Sequence, residues 1–226
     1  MPLISKLERS TLNRKSLPIF LLAGFFIVQI IGTPMLVSAR NWLQDRDQNR
    51  ENVERVSELV KKNENYLLEK SILQVLSQSN LKLKHAMAIT TTVIGESKKH
   101  DIPVSLLLAI MKKESEFNIY ARSSVNAMGL MQIHPLIWDS YTKKLNLDVT
   151  RKKAFDPALN IMVASALLSD LRLQYQKKGY DEDILWEYVL SAYYAGSTSL
   201  KDGLKKNHRY YVRKVREYEQ KIRSAI

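Results

Sequence analysis

The sequence predicts an all-α protein. Glycine and proline are scarce, with 7 and 6 residues in a chain of 226, and turn-flanked runs of β-branched residues are few. Apolar residues recur instead at helical spacing, most clearly in the row formed by Ile161, Ala164, Leu168, Leu171 and Tyr175. With 45% hydrophobic residues, the chain is long enough for one ordinary domain with a buried core and an appendage.

Residues 1–39 have the pattern of an export signal. Residues 1–16 are polar and basic, and they precede an apolar run that is long enough to span a membrane, Leu17–Val37. We expect a retained anchor in the inner membrane, with the basic end held in the cytoplasm and the remainder exported to the cell envelope, the periplasm. The alternative is cleavage at the small-residue site Val37-Ser38-Ala39, which would release the exported protein.

Residues 40–80 are charged and helix-prone, with seven basic and seven acidic side chains. Val53, Val56, Val60 and Leu67 lie at heptad spacing, but polar residues interrupt the row, and about two heptads are too few to establish a coiled coil. This segment is interpreted as a helical stalk or as a first helix that packs on the domain. It is also a candidate binding segment for another envelope protein.

The domain is expected to occupy residues 81–226. Asp101 and Asp156 are candidate helix caps, each followed shortly by a proline suited to a first helical turn, and Gly196 is a candidate helix end. Asn118–Met128 is rich in serine and asparagine and is expected to form a loop, and residues 129–133 are expected to open a further helix or a turn. The helices expected from apolar spacing are His85–Lys99, Val104–Glu116, Ala158–Lys177, Ile184–Ala195 and Tyr210–Ile226.

Glu114 interrupts the apolar row of the second of these helices. Leu107, Ile110 and Met111 mark its buried face, and Glu114 falls next in the same row. Desolvation raises the pKa of a carboxyl in an apolar wall, so that the group can hold a proton and donate it as a general acid. The alternative is a buried glutamate paired with a basic or hydroxyl partner for structural reasons.

Composition and charge limit the classes of function. The chain has no cysteine, which excludes disulfides, thiolate metal sites and a cysteine nucleophile. Its four histidines lack the spacing of a metal site, and we expect neither a metal nor an organic cofactor. The net charge is +12, and residues 197–226 carry nine basic and three acidic side chains. This basic end suits an acidic polymer or an anionic membrane, or is a solvated helical face; no nucleic-acid recognition motif accompanies it, and no nucleic-acid partner is expected.

Four ordered sequence elements resemble one family. The first is Glu-Ser-Glu-Phe-Asn at 114–118, followed by Ser123, Gly-Leu-Met-Gln at 129–132 and Pro135. The others are Asp-Pro with Asn-Ile at 156–161, Ala-Tyr-Tyr-Ala-Gly at 192–196, and Tyr-Val followed by Val at 211–215. Together they resemble the SLT-type lytic transglycosylases, lysozyme-like helical enzymes that cleave bacterial peptidoglycan. The resemblance covers about residues 85–220.

The resemblance implies a role for each matching residue. Glu114 would be the single catalytic acid and base. The implied saccharide-binding residues are Ser123, Met131 and Gln132 in the groove, with Tyr193 and Tyr211 as its walls. The chain departs from the family pattern twice: Asn126 replaces a usual glycine, although asparagine tolerates a left-handed backbone, and Tyr194 replaces a usual asparagine.

The resemblance also implies the reaction and leaves alternatives open. Glycosidases commonly use two carboxylates, but this family uses one and takes its nucleophile from the substrate. Glu114 would protonate the bond between N-acetylmuramic acid and N-acetylglucosamine in peptidoglycan glycan strands, and the muramic C6 hydroxyl would then close onto C1. The alternatives are a lysozyme-type hydrolase on the same fold, and a catalytically weak peptidoglycan-binding scaffold, which the Tyr194 departure favours.

Overall fold

The computed structural model describes residues 33–226, and α-helices account for most of this range. The only extended pairing in the described chain consists of two isolated bridges, from Met128 to Arg122 and to Ile133. The all-α prediction is therefore confirmed. The helices are α1 (Thr33–Ser77), α2 (Leu83–His100), α3 (Val104–Ser115), α4 (Pro135–Lys144), α5 (Pro157–Gln176), α6 (Glu182–Ala195) and α7 (Lys206–Arg223), with short 3₁₀ turns at Arg151–Phe155 and Ser197–Leu200.

The chain divides into two units, Met1–Asn63 and Glu64–Ile226. In the first unit, the described residues are helical, and their side chains from residue 36 onward are exposed. In the second unit, Ile72 and Leu76 at the end of α1 are fully buried in the hydrophobic core. The end of α1 therefore packs as a first helix of the domain, one of the two arrangements that the sequence left open, although the domain was expected to begin only near residue 81.

Helix α3 is the central helix of the domain. Its residues from Ser105 to Met111 are all buried, as expected for a helix that is apolar on nearly every side. Helix α3 packs against α7, α2 packs against α5, and α6 packs against both α5 and α7. The side chains at the end of α3, which include Glu114, are therefore positioned by a helix that is packed in the core on all sides.

Most of the expected helix boundaries are confirmed. The Asp156 carboxylate accepts a hydrogen bond from the Leu159 N–H at 3.1 Å, and Pro157 opens α5. Gly196 ends α6 with φ of 79°. The prediction that Asp101 caps α3 was wrong. Asp101 ends α2 in a left-handed conformation, and its N–H donates a hydrogen bond to the Ser97 carbonyl.

The N-terminal predictions fall largely outside the described residues. The apolar segment Leu17–Val37 has only its end within α1. In the range 33–226, no helix combines the length and the apolar character needed to cross a membrane.

Candidate active site

Glu114 lies in the last turn of α3, immediately after the fully buried segment of that helix. Burial raises the pKa of its carboxyl, whereas the hydrogen bond from Tyr211 and the charge of Lys113 act in the opposite direction. The site therefore presents one carboxyl whose neutral form is favoured by its surroundings.

Tyr211 on α7 is the direct partner of this carboxyl. Its hydroxyl donates a hydrogen bond to Glu114 Oε1 at 2.5 Å, and its side chain is buried. Burial and the neighbouring Glu114 charge raise the pKa of Tyr211 well above its usual value. Tyr211 therefore remains a hydroxyl donor throughout the physiological pH range, and it fixes the orientation of the Glu114 carboxyl.

Tyr193 on α6 binds the turn at residues 129–132. Its hydroxyl donates to the Met131 carbonyl at 2.7 Å. Burial is the main cause that raises the pKa of Tyr193, and the Glu114 charge raises it further. The Met131 side chain is fully buried, so residue 131 faces Tyr193 with its backbone and the core with its side chain.

The turn at residues 129–132 is anchored by Asn160, a fully buried residue in the first part of α5. Its amide donates to the Met128 and Ala154 carbonyls at 3.0 and 2.8 Å, and its oxygen accepts from the Met131 N–H at 2.8 Å. Gly129 has φ of 76°, and a Cβ there would lie 2.3 Å from the Ala154 carbonyl oxygen. The close approach of the turn to α5 therefore requires glycine.

Gln132 and Ser123 form their side-chain hydrogen bonds within the loop itself. The Gln132 amide donates to the Ala121 and Gly129 carbonyls at 3.1 and 2.9 Å. The Ser123 hydroxyl accepts from the Ala127 N–H at 3.0 Å. Asn126, between them, has φ of 64°, which confirms the left-handed backbone expected there. The structure thus brings Glu114, Tyr193 and Tyr211 together, and it shows Ser123 and Gln132 as supports of the adjoining loop.

Tyr194 adds an aromatic surface next to Tyr211. The two rings are stacked, with centroids 4.7 Å apart and planes 17° from parallel, and Tyr194 stays 48% exposed. Tyr194 and Tyr211 border a cavity of about 630 Å³. The remaining side chains that line this cavity are Lys113, Lys205, Lys206, Asn207 and Tyr210.

Sequence reasoning missed the anchoring role of Asn160 and the basic lining of this cavity. A signal for Asn160 exists, since a polar residue with apolar neighbours in the first turns of a helix needs buried partners. The cavity had no comparable signal, because its lysines come from different elements. In the range 33–226, no group of three or more His, Asp and Glu side chains is arranged to hold a metal ion.

Known proteins share sequence with this chain. The family described as the transglycosylase SLT domain matches residues 91–215. The membrane-bound lytic murein transglycosylase C of Klebsiella pneumoniae is 39% identical over 108 residues, which span 46% of this chain and 30% of that protein. The enzyme of the same name from Pectobacterium atrosepticum is 36% identical over 121 residues, which span 52% of this chain and 34% of that protein. The chain therefore spans about a third of the length of these relatives.

Solved structures show the same fold. An inactive mutant of the lytic transglycosylase Slt from Pseudomonas aeruginosa matches with a TM-score of 0.52 and 25% identity, over 68% of this chain and 28% of that one. The 70 kDa soluble lytic transglycosylase from Escherichia coli matches with a TM-score of 0.52 and 21% identity, over 72% of this chain and 30% of that one. Because the family match alone covers more than half of the sequence, this chain belongs to the transglycosylase SLT domain family.

Proposed function

We propose that this protein is a lytic transglycosylase that cleaves the glycan strands of peptidoglycan with Glu114 as its only acid and base. The observation that carries this proposal is the half-buried carboxyl of Glu114, which is oriented by Tyr211 and whose pKa is raised by burial. The relatives named as lytic murein transglycosylases support the substrate and the reaction.

The proposed reaction begins with proton transfer from Glu114 to the oxygen that joins C1 of N-acetylmuramic acid to N-acetylglucosamine. The bond from C1 to this oxygen breaks, N-acetylglucosamine leaves as an alcohol, and an oxocarbenium-like centre develops at C1. The Glu114 carboxylate then takes the proton of the muramic C6 hydroxyl, whose oxygen bonds to C1. The product is a 1,6-anhydro-muramyl end, the carboxyl regains its proton, and no water is consumed.

The other predicted residues are proposed to support binding. Tyr193 and Tyr211 form walls beside the carboxyl, and Met131 contributes through its carbonyl and its buried side chain. Ser123 and Gln132 are proposed to shape the loop along which the saccharide lies. This assignment predicts that replacement of Ser123 or Gln132 weakens binding more than it slows the chemical step, whereas Tyr211 also acts on the Glu114 carboxyl.

The proposed location is the bacterial cell envelope, which the name of the membrane-bound relatives supports. Leu17–Val37 is proposed to anchor the chain in the inner membrane, with the domain in the periplasm. Residues 40–80 are proposed as the segment available to a second envelope protein.

The test compares the full chain with its Glu114→Gln variant on purified peptidoglycan. We expect the wild-type protein to release 1,6-anhydro-muropeptides, identified by mass spectrometry, and the variant to be slower by roughly 10²–10⁴-fold. Glu187→Gln, which alters an exposed carboxylate on α6, is the matched control and should retain activity. Reducing ends in place of anhydro ends would identify a hydrolase, and equal release by the wild-type and Glu114→Gln proteins would refute the assignment of Glu114.

A further inference from the structure

A separate cavity of about 240 Å³ lies where the ends of α1, α3 and α7 meet. It shares no lining residue with the cavity beside Tyr211, and Glu114 does not border it. About three turns of α7 separate Tyr211 from Ile222, which lines the separate cavity. The proposed cleavage of glycan strands therefore gives the residues around this cavity no role.

The walls of the cavity at the ends of α1, α3 and α7 are largely apolar. Val75 comes from α1, Phe117 from the residues directly after α3, and Ile222 from α7. Phe117 and Ile222 are buried members of the hydrophobic core, and Val75 packs against that core. An apolar group that enters the cavity leaves water for contact with these side chains, which favours binding. Sites for drug-sized ligands have volumes of roughly 300–1,000 Å³, so this smaller cavity takes only a short apolar group.

The charged side chains that line the same cavity are two lysines. Lys112 comes from α3 and Lys221 from α7, and no acidic side chain lines the cavity. Among the ion pairs of residues 33–226, none includes either lysine. Glu217, one turn before Lys221, accepts a hydrogen bond from Lys214 at 2.7 Å. The Lys112 amine lies 5.7 Å from the centre of the Phe117 ring, so a positive charge borders the apolar wall. Two amines without an acidic partner favour a ligand with a negative charge.

We propose that this cavity binds an anionic amphiphile, in which a short alkyl or aryl group is joined to a carboxylate or a phosphate. The apolar group lies among Val75, Phe117 and Ile222, and the anion pairs with Lys112 and Lys221. A free carboxylic acid and a phospholipid both have this chemistry. The site is independent of glycan cleavage, and its ligand is different from the substrate.

The experiment titrates octanoate into the detergent-solubilised full chain and follows binding by isothermal titration calorimetry. Lys112→Gln/Lys221→Gln removes the partners of the anion, and Lys61→Gln/Lys62→Gln removes the same charge from an exposed part of α1. We expect the Kd for octanoate to rise about fivefold in the first variant and to stay unchanged in the second. Because octanoate partitions equally into the detergent around each protein, the difference reports the cavity. Equal Kd values for the wild-type protein and Lys112→Gln/Lys221→Gln would overturn the inference.

A third variant, Val75→Phe, tests the apolar part of the site with both lysines retained. The larger side chain occupies space that the alkyl chain needs, and the Kd for octanoate should rise about tenfold. Circular dichroism checks that each variant folds, and the lysine variant alone decides the question if Val75→Phe does not. Octanol has the same chain without the charge, and it should bind more weakly than octanoate. Octanol that binds as tightly as octanoate would overturn the inference.

Dihexanoylphosphatidylglycerol, a soluble anionic phospholipid, distinguishes the two sources of the ligand. Binding that is weakened in Lys112→Gln/Lys221→Gln would support the inference with a phospholipid as a ligand. No binding of this phospholipid, with octanoate bound as expected, would support the inference with a free acid as the ligand. None of these measurements uses peptidoglycan, so their outcome does not depend on whether the proposed function is correct.

Discussion

The Tyr211 hydroxyl donates a hydrogen bond to Glu114 Oε1 at 2.5 Å, although the two residues are 97 positions apart in the chain. The contact forms because α3 and α7 pack together, so that the last turn of α3 meets one face of α7. Burial favours the neutral form of the Glu114 carboxyl, and the hydrogen bond from Tyr211 favours the ionised form. The balance lets one group act as an acid and then as a base.

Tyr211→Phe should shift the pH dependence of the reaction. Removal of the hydroxyl removes a cause that lowers the pKa of Glu114, so that this pKa rises further. Glu114 must be protonated to act as an acid, and activity is lost as the pH rises above its pKa. The alkaline limb of the kcat/KM profile should therefore move to higher pH, with a loss of about tenfold in the maximum, as expected for one lost hydrogen bond to a charged group.

Tyr218→Phe is the control for this measurement, because it removes a hydroxyl seven residues further along the same helix, whereas the hydroxyl bonded to Glu114 is that of Tyr211. Its alkaline limb should coincide with that of the wild-type enzyme. A limb that stays in place or moves to lower pH in Tyr211→Phe would contradict the role given to the hydrogen bond.

Glu114→Gln should stabilise the protein at neutral pH. The pKa of Glu114 is raised on folding, so the wild-type carboxyl costs no stability below its usual pKa, where it is protonated in both states. As the pH rises from the usual to the raised pKa, the unfolded chain ionises more readily and the wild-type protein loses stability. Glutamine has no such loss, and we expect a Tm higher by about 3 °C at pH 7, which corresponds to roughly 1 kcal/mol for a chain of this size.

Thermal unfolding followed by circular dichroism at pH 7 and near pH 4 measures this difference. The gain should nearly vanish at the lower pH, because both proteins are then uncharged at residue 114. A lower Tm for Glu114→Gln at pH 7 would show that the carboxylate stabilises the fold and would contradict the direction given for its pKa.

Most of the helices, but not α4, and the unusual position of Glu114 could be predicted from sequence because both follow from local spacing. Apolar residues three and four apart define a buried face, and a carboxylate in that face is visible without any knowledge of the fold. The cap at Asp156 was predictable for the same reason, since the residue and its N–H partner are neighbours in the chain. The prediction of a cap at Asp101 was wrong because this residue instead ends α2 in a left-handed conformation. That conformation competes with capping of α3.

The partners of the site could not be predicted from spacing. The pairing of Tyr211 with Glu114 and of Tyr193 with the Met131 carbonyl depends on how α6 and α7 pack. The family resemblance placed Met131 in the groove, but the direction of its side chain depends on the turn that Asn160 anchors. These contacts join distant parts of the chain, and no local pattern records them.

Gly129→Ala and Gly95→Ala should change stability in opposite directions. A Cβ at residue 129 would lie 2.3 Å from the Ala154 carbonyl oxygen and 2.6 Å from Asn160 Nδ2, in a backbone with φ of +76°. We expect a loss of about 3 kcal/mol and reduced activity, because the turn that carries the Met131 carbonyl must move. Gly95 lies in α2, and the Cβ that alanine would add there meets nothing within 4 Å, so this substitution should gain roughly 0.5–1 kcal/mol. Denaturant unfolding measures both, and equal effects would contradict the close approach at residue 129.

Tyr194→Asn restores the residue that the family pattern has at this position, and it tests whether the ring serves binding or hinders catalysis. The Tyr194 ring is stacked on Tyr211 at 4.7 Å, and it borders the basic cavity without a hydrogen bond to Glu114. We therefore expect KM for peptidoglycan strands to rise about threefold with kcat changed by less than about twofold, since an aromatic contact contributes roughly 0.5–1.5 kcal/mol. Steady-state kinetics on defined strands gives both values. A large rise in kcat would show instead that Tyr194 suppresses catalysis in the wild-type chain, as expected of a peptidoglycan-binding scaffold with a weakened active site.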